Sequence, residues 1–291
     1  MTDTEITPAL IGRFPLPLHA DDDVKQGRGT VLLVGGTAET AGAMLLAGLA
    51  ALRAGAGRLR IMTVGSVSPA LQAALPEARV IGLEQDDDGN IDRSEVGRIA
   101  EKAARADAVV VGAGVLDAEA TIPLVDAATG SDTEGVVVVD AGALAAVGRH
   151  PAWAARVAGR LLLTPNEGEM RHLDGRSEGS LRSRAMQTAA TTGAVVALRG
   201  PETWVATPEG EVFVHRGGVV GLATSGSGDV AAGIFGGLAA RGAGALAAAV
   251  WAPYLHGRAG ERLSARIGRI GFLARELLDE VPAVLEELTD D

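Results

Sequence analysis

The segment Gly221-Leu-Ala-Thr-Ser-Gly-Ser-Gly-Asp-Val-Ala-Ala-Gly233 joins a turn rich in glycine and serine to a helix of small residues. Glycines let the backbone amides of such a turn converge at the helix N-terminus, where the partial positive charge favours a phosphate or a developing oxyanion. Asp229 is predicted to lie at the start of that helix. A carboxylate beside a phosphate site can take the proton from a hydroxyl that attacks phosphorus, so Asp229 is the candidate catalytic base.

Asp229 also has a purely structural interpretation, since aspartate is among the residues favoured at helix N-caps. Gly226, Ser227 and Gly228 cluster immediately before it, and Gly233 follows about one turn later. This clustering favours a phosphate-binding loop over a cap alone.

Outward from this loop, short apolar runs alternate with alanine-rich stretches of helical length. That alternation is typical of parallel strands that crossover helices bury on both faces. Strands are predicted over residues 30–34, 59–63, 108–111, 136–139, 161–164, 195–198, 203–206 and 212–215. Helices are predicted over residues 40–54, 93–105, 118–129, 166–173, 180–192, 229–241, 244–264 and 271–287. The last two strands flank turn residues and indicate a hairpin. We therefore predict an α/β fold with a parallel sheet that ends in an antiparallel edge.

The composition limits the classes of partner and site. The chain has 291 residues, of which 47% are hydrophobic, and carries 26 Lys and Arg against 37 Asp and Glu. The net charge of −11 repels polyanions, so we expect neither nucleic acid nor an anionic membrane as a partner. The absence of cysteine excludes disulfides and thiolate chemistry and is compatible with a cytoplasmic protein. No run resembles a signal peptide or a membrane span.

The two ends of the chain differ in pattern. Residues 1–24 have weak periodicity and are predicted to form an arm that lies on a neighbouring subunit or is disordered. The β/α alternation continues from residue 25 without an internal repeat, so residues 25–291 are predicted to form one catalytic domain. An alanine-rich fold with such an arm suggests a homo-oligomer.

Polar residues follow the predicted strand at residues 161–164. Asn166 and Glu169 should lie at the carboxyl end of the sheet, the edge at which open α/β sheets bind ligands. Asn166 is a candidate contact to substrate or phosphate, and Glu169 is a candidate to orient water around Mg²⁺. Their spacing fits a capping box at a helix start equally well.

Further candidates follow other strands. Asp140, Gly112 and Gly114 are candidate substrate contacts at strand ends, although glycine and aspartate are also ordinary turn residues. Arg199 follows the strand at residues 195–198 and supplies a cation that could reach a nucleotide phosphate.

The five histidines do not form a pair with the spacing of metal ligands. His172 and His256 are predicted to be helix-surface or packing residues. We therefore expect no metal site built from histidine.

Seven short motifs occur in a fixed order along the chain. They are VLLVGG, Gly42-Ala-Met-Leu-Leu-Ala47, Val111-Gly-Ala-Gly114, Asp140-Ala-Gly-Ala-Leu144, Leu163-Thr-Pro-Asn-Glu-Gly-Glu169, Gly226-Ser-Gly-Asp229 and Tyr254-Leu-His-Gly257. In this order they resemble the ADP-dependent NAD(P)H-hydrate dehydratase family, a branch of the ribokinase-like superfamily, over nearly the whole chain. The resemblance implies a ribokinase-like three-layer sandwich with helices on both faces of the sheet.

The family repairs hydrated NADH and NADPH and in bacteria converts ADP to AMP and phosphate as the hydrate loses water. The resemblance implies that the hydrate hydroxyl is first phosphorylated and the phosphate is then expelled, with ADP or ATP and Mg²⁺ as cofactors. It implies that the dinucleotide hydrate contacts Ala43, Gly114, Asn166 and Asp229. It implies that the adenine nucleotide contacts Arg199, Gly200, Pro201, Glu202, Thr203, Gly226, Ser227 and Gly228. The chain is too short to hold the epimerase domain often fused to this family, so a separate NAD(P)H-hydrate epimerase is expected.

The chain departs from the family pattern near the proposed site. It has Asn166 where the family has His, Arg199 where it has Lys, and Thr224-Ser225 where it has a Lys-Gly pair. Asn166 with Glu169 also resembles the N-x-x-E feature of other ribokinase-like kinases. Two alternatives stay open: an ATP-dependent kinase of a sugar or vitamer alcohol, and a nucleotide-binding protein that has lost catalysis. The presence of Asp229 argues against the second.

Overall fold

Ten strands form one sheet in the computed structural model, which describes residues 3–17 and 27–289 except residues 116, 131, 151, 158 and 177. The strands are β1 (Thr4–Glu5), β2 (Thr30–Val34), β3 (Arg58–Val64), β4 (Ala78–Leu83), β5 (Ala108–Val111), β6 (Val136–Val139), β7 (Leu161–Leu163), β8 (Val195–Leu198), β9 (Thr203–Ala206) and β10 (Val212–His215). Their order across the sheet is β1-β10-β9-β8-β7-β6-β5-β2-β3-β4. Neighbouring strands are parallel except for the antiparallel pairs β8-β9 and β9-β10. The carboxyl ends of the strands from β8 to β4 therefore meet at one edge.

Helices cover both faces of this sheet. They are α1 (Pro8–Ile11), α2 (Ala41–Arg53), α3 (Ser68–Ala74), α4 (Val96–Ala103), α5 (Ala118–Ala128), α6 (Ala143–Arg149), α7 (Ala152–Arg156), α8 (Glu167–Asp174), α9 (Leu181–Thr192), α10 (Ser227–Ala240), α11 (Ala245–Arg266) and α12 (Ala274–Thr289). In β2, Val31 and Leu33 face a core shared with α2, α10, α11 and α12, whereas Leu32 and Val34 face a core shared with α4 to α9. Residues 31–34 of the strand are all apolar because both of its faces are buried. The predicted three-layer α/β sandwich is confirmed.

Close packing of α10 against α2 fixes the direction in which the N-terminus of α10 points. A Cβ atom on Gly233 would lie 2.2 Å from the carbonyl oxygen of Ala47, and one on Gly237 would lie 2.3 Å from that of Ala51. These contacts leave no space for a side chain, so glycine is required where the two backbones approach. The phosphate-loop candidate is thereby held on a rigid pair of helices.

The predicted elements are all present, and the structure adds several short ones. The eight predicted strands end within one residue of their predicted bounds, and the eight predicted helices within three. The elements that were not predicted are β1, β4, α1, α3, α6 and α7. Strand β4 pairs only with β3 and is half-buried, so its residues lack the continuous apolar run of the inner strands.

The N-terminal residues pack on the domain. Strand β1 pairs with β10, Leu10 and Ile11 are buried, and the indole Nε1 of Trp251 donates a 2.7 Å hydrogen bond to the carbonyl oxygen of Phe14. The prediction of a separate arm over residues 1–24 is therefore wrong for residues 3–17. Residues 18–26, which include the predicted domain boundary, lie outside the described part of the chain. Among the described helices, none has the length and apolarity needed to cross a bilayer.

Candidate active site

The candidate phosphate loop ends in a glycine with left-handed backbone. Gly226 is the N-cap of α10 with φ of 86°, and a Cβ atom there would also lie 2.5 Å from Cδ1 of Leu46. The loop therefore needs glycine for its turn and for its contact with α2. Gly226 has no side chain to cap the helix, so the first-turn amides of Gly228 and Asp229 are available to an anion.

Asp229 is the third residue of α10 and not its N-cap. Its carboxylate has no hydrogen bond or ion pair within the part of the chain that the structure describes. Burial, and then the negative charge of Asp140, raise the pKa of Asp229 to about 6, against the opposing effect of Arg199. The interpretation of Asp229 as a cap is therefore wrong. A free carboxylate with a pKa near neutrality is suited to accept a proton.

An ion pair lies beside Asp229. Oδ1 of Asp140 accepts hydrogen bonds of 2.8 Å from Nη2 of Arg199 and 2.8 Å from Oγ1 of Thr164, and Asp140 is only 2% exposed. Nε of Arg199 donates to the carbonyl oxygen of Thr164 at 3.0 Å. The buried carboxylate of Asp140 therefore bonds both Arg199 and Thr164. These bonds suit a residue that positions the guanidinium of Arg199.

Asn166 and Glu169 form the capping box of α8. The backbone amide of Glu169 donates to Oδ1 of Asn166 at 2.9 Å, and that of Asn166 donates to Oε2 of Glu169 at 2.8 Å. The capping-box interpretation is confirmed. Oε2 of Glu169 also lies 3.7 Å from Nη2 of Arg199, and burial followed by the charge of Asp140 raises the pKa of Glu169.

The carboxylates at this edge do not form a metal cage. Within the described residues, no three His, Cys, Asp or Glu side chains are arranged to hold a metal ion. Asp140 is buried against Arg199, and one oxygen of Glu169 is used in the capping box. A Mg²⁺ ion at this edge would therefore need ligands from a bound nucleotide in addition to those of the described residues.

A cavity of about 870 Å³ opens from the phosphate loop. The predicted residues among its lining are Asn166, Arg199, Gly200, Pro201, Thr203, Ser227 and Gly228. Within residues 199–203, Glu202 is the residue that does not line the cavity. Its carboxylate pairs with Nε of Arg216 at 3.1 Å. A Cβ atom on Gly228 would lie 3.1 Å from Nη1 of Arg199, so the loop and this cation adjoin.

The candidates Ala43, Gly112, Gly114 and Asp140 are not part of the lining of that cavity. A Cβ atom on Gly114 would lie 2.9 Å from Cβ of Ala43, which belongs to the first turn of α2. One on Gly112 would lie 2.2 Å from the carbonyl oxygen of Asp140. Gly114 therefore lies at the first turn of α2, the helix whose Leu46 contacts Gly226 of the loop, whereas Gly112 lies beside Asp140.

A serine-histidine contact that the sequence does not predict joins the phosphate loop to α11. Ser227 is buried, and its Oγ lies 3.0 Å from Nε2 of His256 on α11. Burial, and then the charge of Arg199, lower the pKa of His256 to about 4, so the ring is neutral. The interpretation of His256 as a packing residue is wrong, because its ring lines the cavity and contacts the loop. In the sequence, the motif Tyr254-Leu-His-Gly257 was the one signal that pointed to a role for His256.

We expect Ser227→Ala and His256→Phe each to weaken ADP binding by about tenfold, the effect of losing one hydrogen bond. The double variant should bind about as weakly as either single one, because both changes remove the same contact. Calorimetric titration with ADP measures these affinities. The exposed loop residue Ser225 provides the control, since Ser225→Ala should bind like wild type. Additive losses in the double variant would contradict the coupling.

The chain is similar to known proteins over nearly its whole length. The model of the NAD(P)H-hydrate dehydratase family matches residues 31–283. An ADP-dependent (S)-NAD(P)H-hydrate dehydratase of Xanthomonas campestris is 43% identical over 287 residues, which cover 97% of this chain and 96% of that protein. A bifunctional NAD(P)H-hydrate repair enzyme of Moorella thermoacetica is 34% identical over 96% of this chain and 53% of that protein.

A solved structure is similar over the same extent. The ADP/ATP-dependent NAD(P)H-hydrate dehydratase of Bacillus subtilis, co-crystallized with ATP/Mg²⁺, matches with a TM-score of 0.80 and 29% identity. The match covers 99% of each chain. Sequence and structure therefore point to the same set of relatives.

Proposed function

This chain belongs to the NAD(P)H-hydrate dehydratase family, and from that premise we propose how its site performs the ADP-dependent dehydration of (6S)-NAD(P)H hydrate. The enzyme is a hydro-lyase that restores NAD(P)H, with AMP and phosphate as the other products. The observation that carries this function is the near full-length 43% identity to an ADP-dependent dehydratase. The unpaired Asp229 beside the loop amides supports the proposed chemistry.

In the first step, the hydrate hydroxyl attacks the terminal phosphorus of ADP. Asp229 takes the hydroxyl proton, a bond forms between the hydroxyl oxygen and phosphorus, and the bond from phosphorus to the AMP oxygen breaks. The first-turn amides of α10 and the Nη1 side of Arg199 stabilise the charge on the transferred phosphoryl group. This step turns a poor leaving group, hydroxide, into a good one.

In the second step, the phosphate leaves from the hydrated ring carbon. The lone pair of the ring nitrogen drives the expulsion, and the departing phosphate then takes a proton from the neighbouring carbon, which restores the carbon-carbon double bond. The net change is loss of water from the hydrate, with ADP converted to AMP and phosphate. The first turn of α2, with Ala43 and Gly114, is the proposed place of the nicotinamide ring, because α2 also contacts Gly226 of the loop and these two residues are not part of the nucleotide cavity.

The proposed ligands follow from this arrangement. ADP or ATP occupies the 870 Å³ cavity, and Mg²⁺ bound to the nucleotide would neutralise phosphate charge with Glu169 in contact through water. The chain spans about half the length of the bifunctional relative. We propose that an NAD(P)H-hydrate epimerase is the functional partner that supplies the (6S) form. A homo-oligomeric state stays a prediction.

We expect purified protein to regenerate NADH from its hydrate in the presence of ADP and Mg²⁺, because the site pairs a base with a phosphate loop. Recovery of NADH absorbance measures the reaction, and release of AMP with an equal amount of phosphate confirms its balance. Omission of the nucleotide is the control and should give no recovery. A stable phosphoester formed on a vitamer alcohol or sugar, without recovery of NADH, would favour the kinase alternative instead.

A further inference from the structure

Thr40, the N-cap residue of α2, does not use its hydroxyl to cap the helix. Its Oγ1 donates instead to the carbonyl oxygen of Gly114, which lies 74 positions further along the chain. The same oxygen accepts a 2.9 Å hydrogen bond from the backbone amide of Thr37 and lies 2.8 Å from Oγ1 of Thr37. Threonine at an N-cap usually bonds an amide of the first turn and stabilises the helix. In this chain that bond is replaced by a contact with a remote loop.

The direction of each hydrogen bond follows from the groups involved. A hydroxyl has one proton, and that of Thr40 is given to the Gly114 carbonyl, so Thr37 is the donor in the contact between the two threonines. Oγ1 of Thr40 therefore has its one donor bond and both of its acceptor bonds. This chain of bonds, from Thr37 through Thr40 to Gly114, holds each hydroxyl in one orientation.

The position of Gly114 depends on the bond from Thr40. Within the described residues, no backbone amide donates to the carbonyl oxygen of Gly114. Its backbone is left-handed with φ of 70°, and a Cβ atom there would lie 2.9 Å from Cβ of Ala43 and 3.2 Å from Oγ1 of Thr40. Glycine is therefore required at this position, and it has no side chain of its own to hold it beside Ala43.

The loop that carries Thr40 is fixed by other bonds as well. The backbone amide of Gly36 donates to the carbonyl oxygen of Ala113 at 2.9 Å, and the amide of Ala38 donates to the carbonyl oxygen of Gly89 at 3.1 Å. Removal of the Thr40 hydroxyl would therefore leave this loop attached to both of its neighbours. The effect of the hydroxyl is local, on the position of the glycine that it bonds.

We propose that Thr40 is a positioning residue, whose hydroxyl holds Gly114 beside Ala43 at the place where the nicotinamide ring of the hydrate binds. The proposal rests on the proposed function for the identity of this ligand. Gly114 and Ala43 are both half-buried, so a ligand can reach them. Thr40 is not part of the lining of the nucleotide cavity, so its hydroxyl should act on the hydrate and not on ADP. A shift of about 1 Å in a group that orients a substrate can lower the rate by about a hundredfold.

We expect Thr40→Val, which keeps the shape of the side chain and removes the hydroxyl, to lower kcat/KM for NADH hydrate by about 10- to 100-fold. The affinity for ADP, measured by calorimetric titration, should stay that of wild type. Thr40→Ser keeps the hydroxyl and should restore most of the activity. Thr129→Val is the matched control, because it removes a buried hydroxyl that donates to a backbone carbonyl at 2.8 Å at the end of α5. It should reduce stability to urea as Thr40→Val does and leave kcat/KM unchanged.

A Thr40→Val enzyme with the kcat/KM of wild type would refute the positioning role, as would an equal loss of ADP affinity or a Thr40→Ser enzyme as slow as Thr40→Val. Thr40→Ala removes the same hydroxyl and serves if Thr40→Val does not fold. If neither variant folds, the hydroxyl acts in folding and the proposal fails. Wild type that binds ADP but does not dehydrate the hydrate would refute the proposed function. Calorimetric titration with NADH would then test the positioning role, since Thr40→Val should bind NADH more weakly than wild type and equal affinities would refute it.

Discussion

Replacing Asp229 with asparagine is expected to lower kcat by about a thousandfold, within the range of about 10²–10⁴ for loss of a general base. The amide keeps the shape of the carboxylate but does not accept the hydroxyl proton. ADP binding should change little, because Asp229 has no bond to the loop or to Arg199 and the loop amides remain in place. Single-turnover assays with NADH hydrate and calorimetric titration with ADP measure the two effects separately.

The same substitution should stabilise the folded protein. The pKa of Asp229 is about 6 in the folded protein against 3.8 for an ordinary aspartate, so the folded state binds more protons between these pH values. The stability of wild type therefore falls as the pH rises through this window and stays lower above it. At pH 8, Asp229→Asn should raise the free energy of unfolding by on the order of 1–3 kcal/mol, and the difference should vanish below about pH 4. A variant that is both inactive and less stable would indicate a structural role instead.

The sheet was predictable because its signal is local. A run such as Val136–Val139 is apolar on both faces, and a segment of helical length follows it. Both the strand and the helix can therefore be predicted from contiguous residues, without knowing which distant residues they contact. The phosphate loop was predictable for the same reason, since the turn and the helix start are contiguous. The N-terminal strand β1 was not, because its two residues are exposed and form a strand only through pairing with β10.

Much of the site depends on pairs that are remote in sequence. Asp140 and Arg199 are separated by 59 positions, and Ser227 and His256 by 29. Sequence spacing placed Asp140 at a strand end but could not show that its carboxylate is buried against the guanidinium. These contacts depend on the order of the strands and on where α11 crosses the sheet.

The ion pair of Asp140 and Arg199 should set the pH at which the enzyme becomes active. Asp229 must be ionised to act as a base, so kcat/KM of wild type should fall below about pH 6. Burial is the main cause of the raised pKa of Asp229; the negative charge of Asp140 raises it further, and the positive charge of Arg199 lowers it. Substitutions at the two partners should therefore move this acidic limb in opposite directions.

Arg199→Met is expected to move the acidic limb of kcat/KM to higher pH, because it removes a positive charge that lowers the pKa of Asp229. It should also lower the free energy of unfolding by about 3–5 kcal/mol, because it leaves the carboxylate of Asp140 buried without its ion-pair partner. Asp140→Asn should move the limb to lower pH, since it removes a negative charge near Asp229. Arg199→Lys is the matched control: it keeps the charge, so the limb should stay near that of wild type while the bond to Thr164 is weakened. Profiles of kcat/KM from pH 5 to 9, with urea unfolding of each variant, measure both effects. Limbs that move in the same direction for Arg199→Met and Asp140→Asn would show that general destabilisation, and not the charge around Asp229, governs the pH dependence.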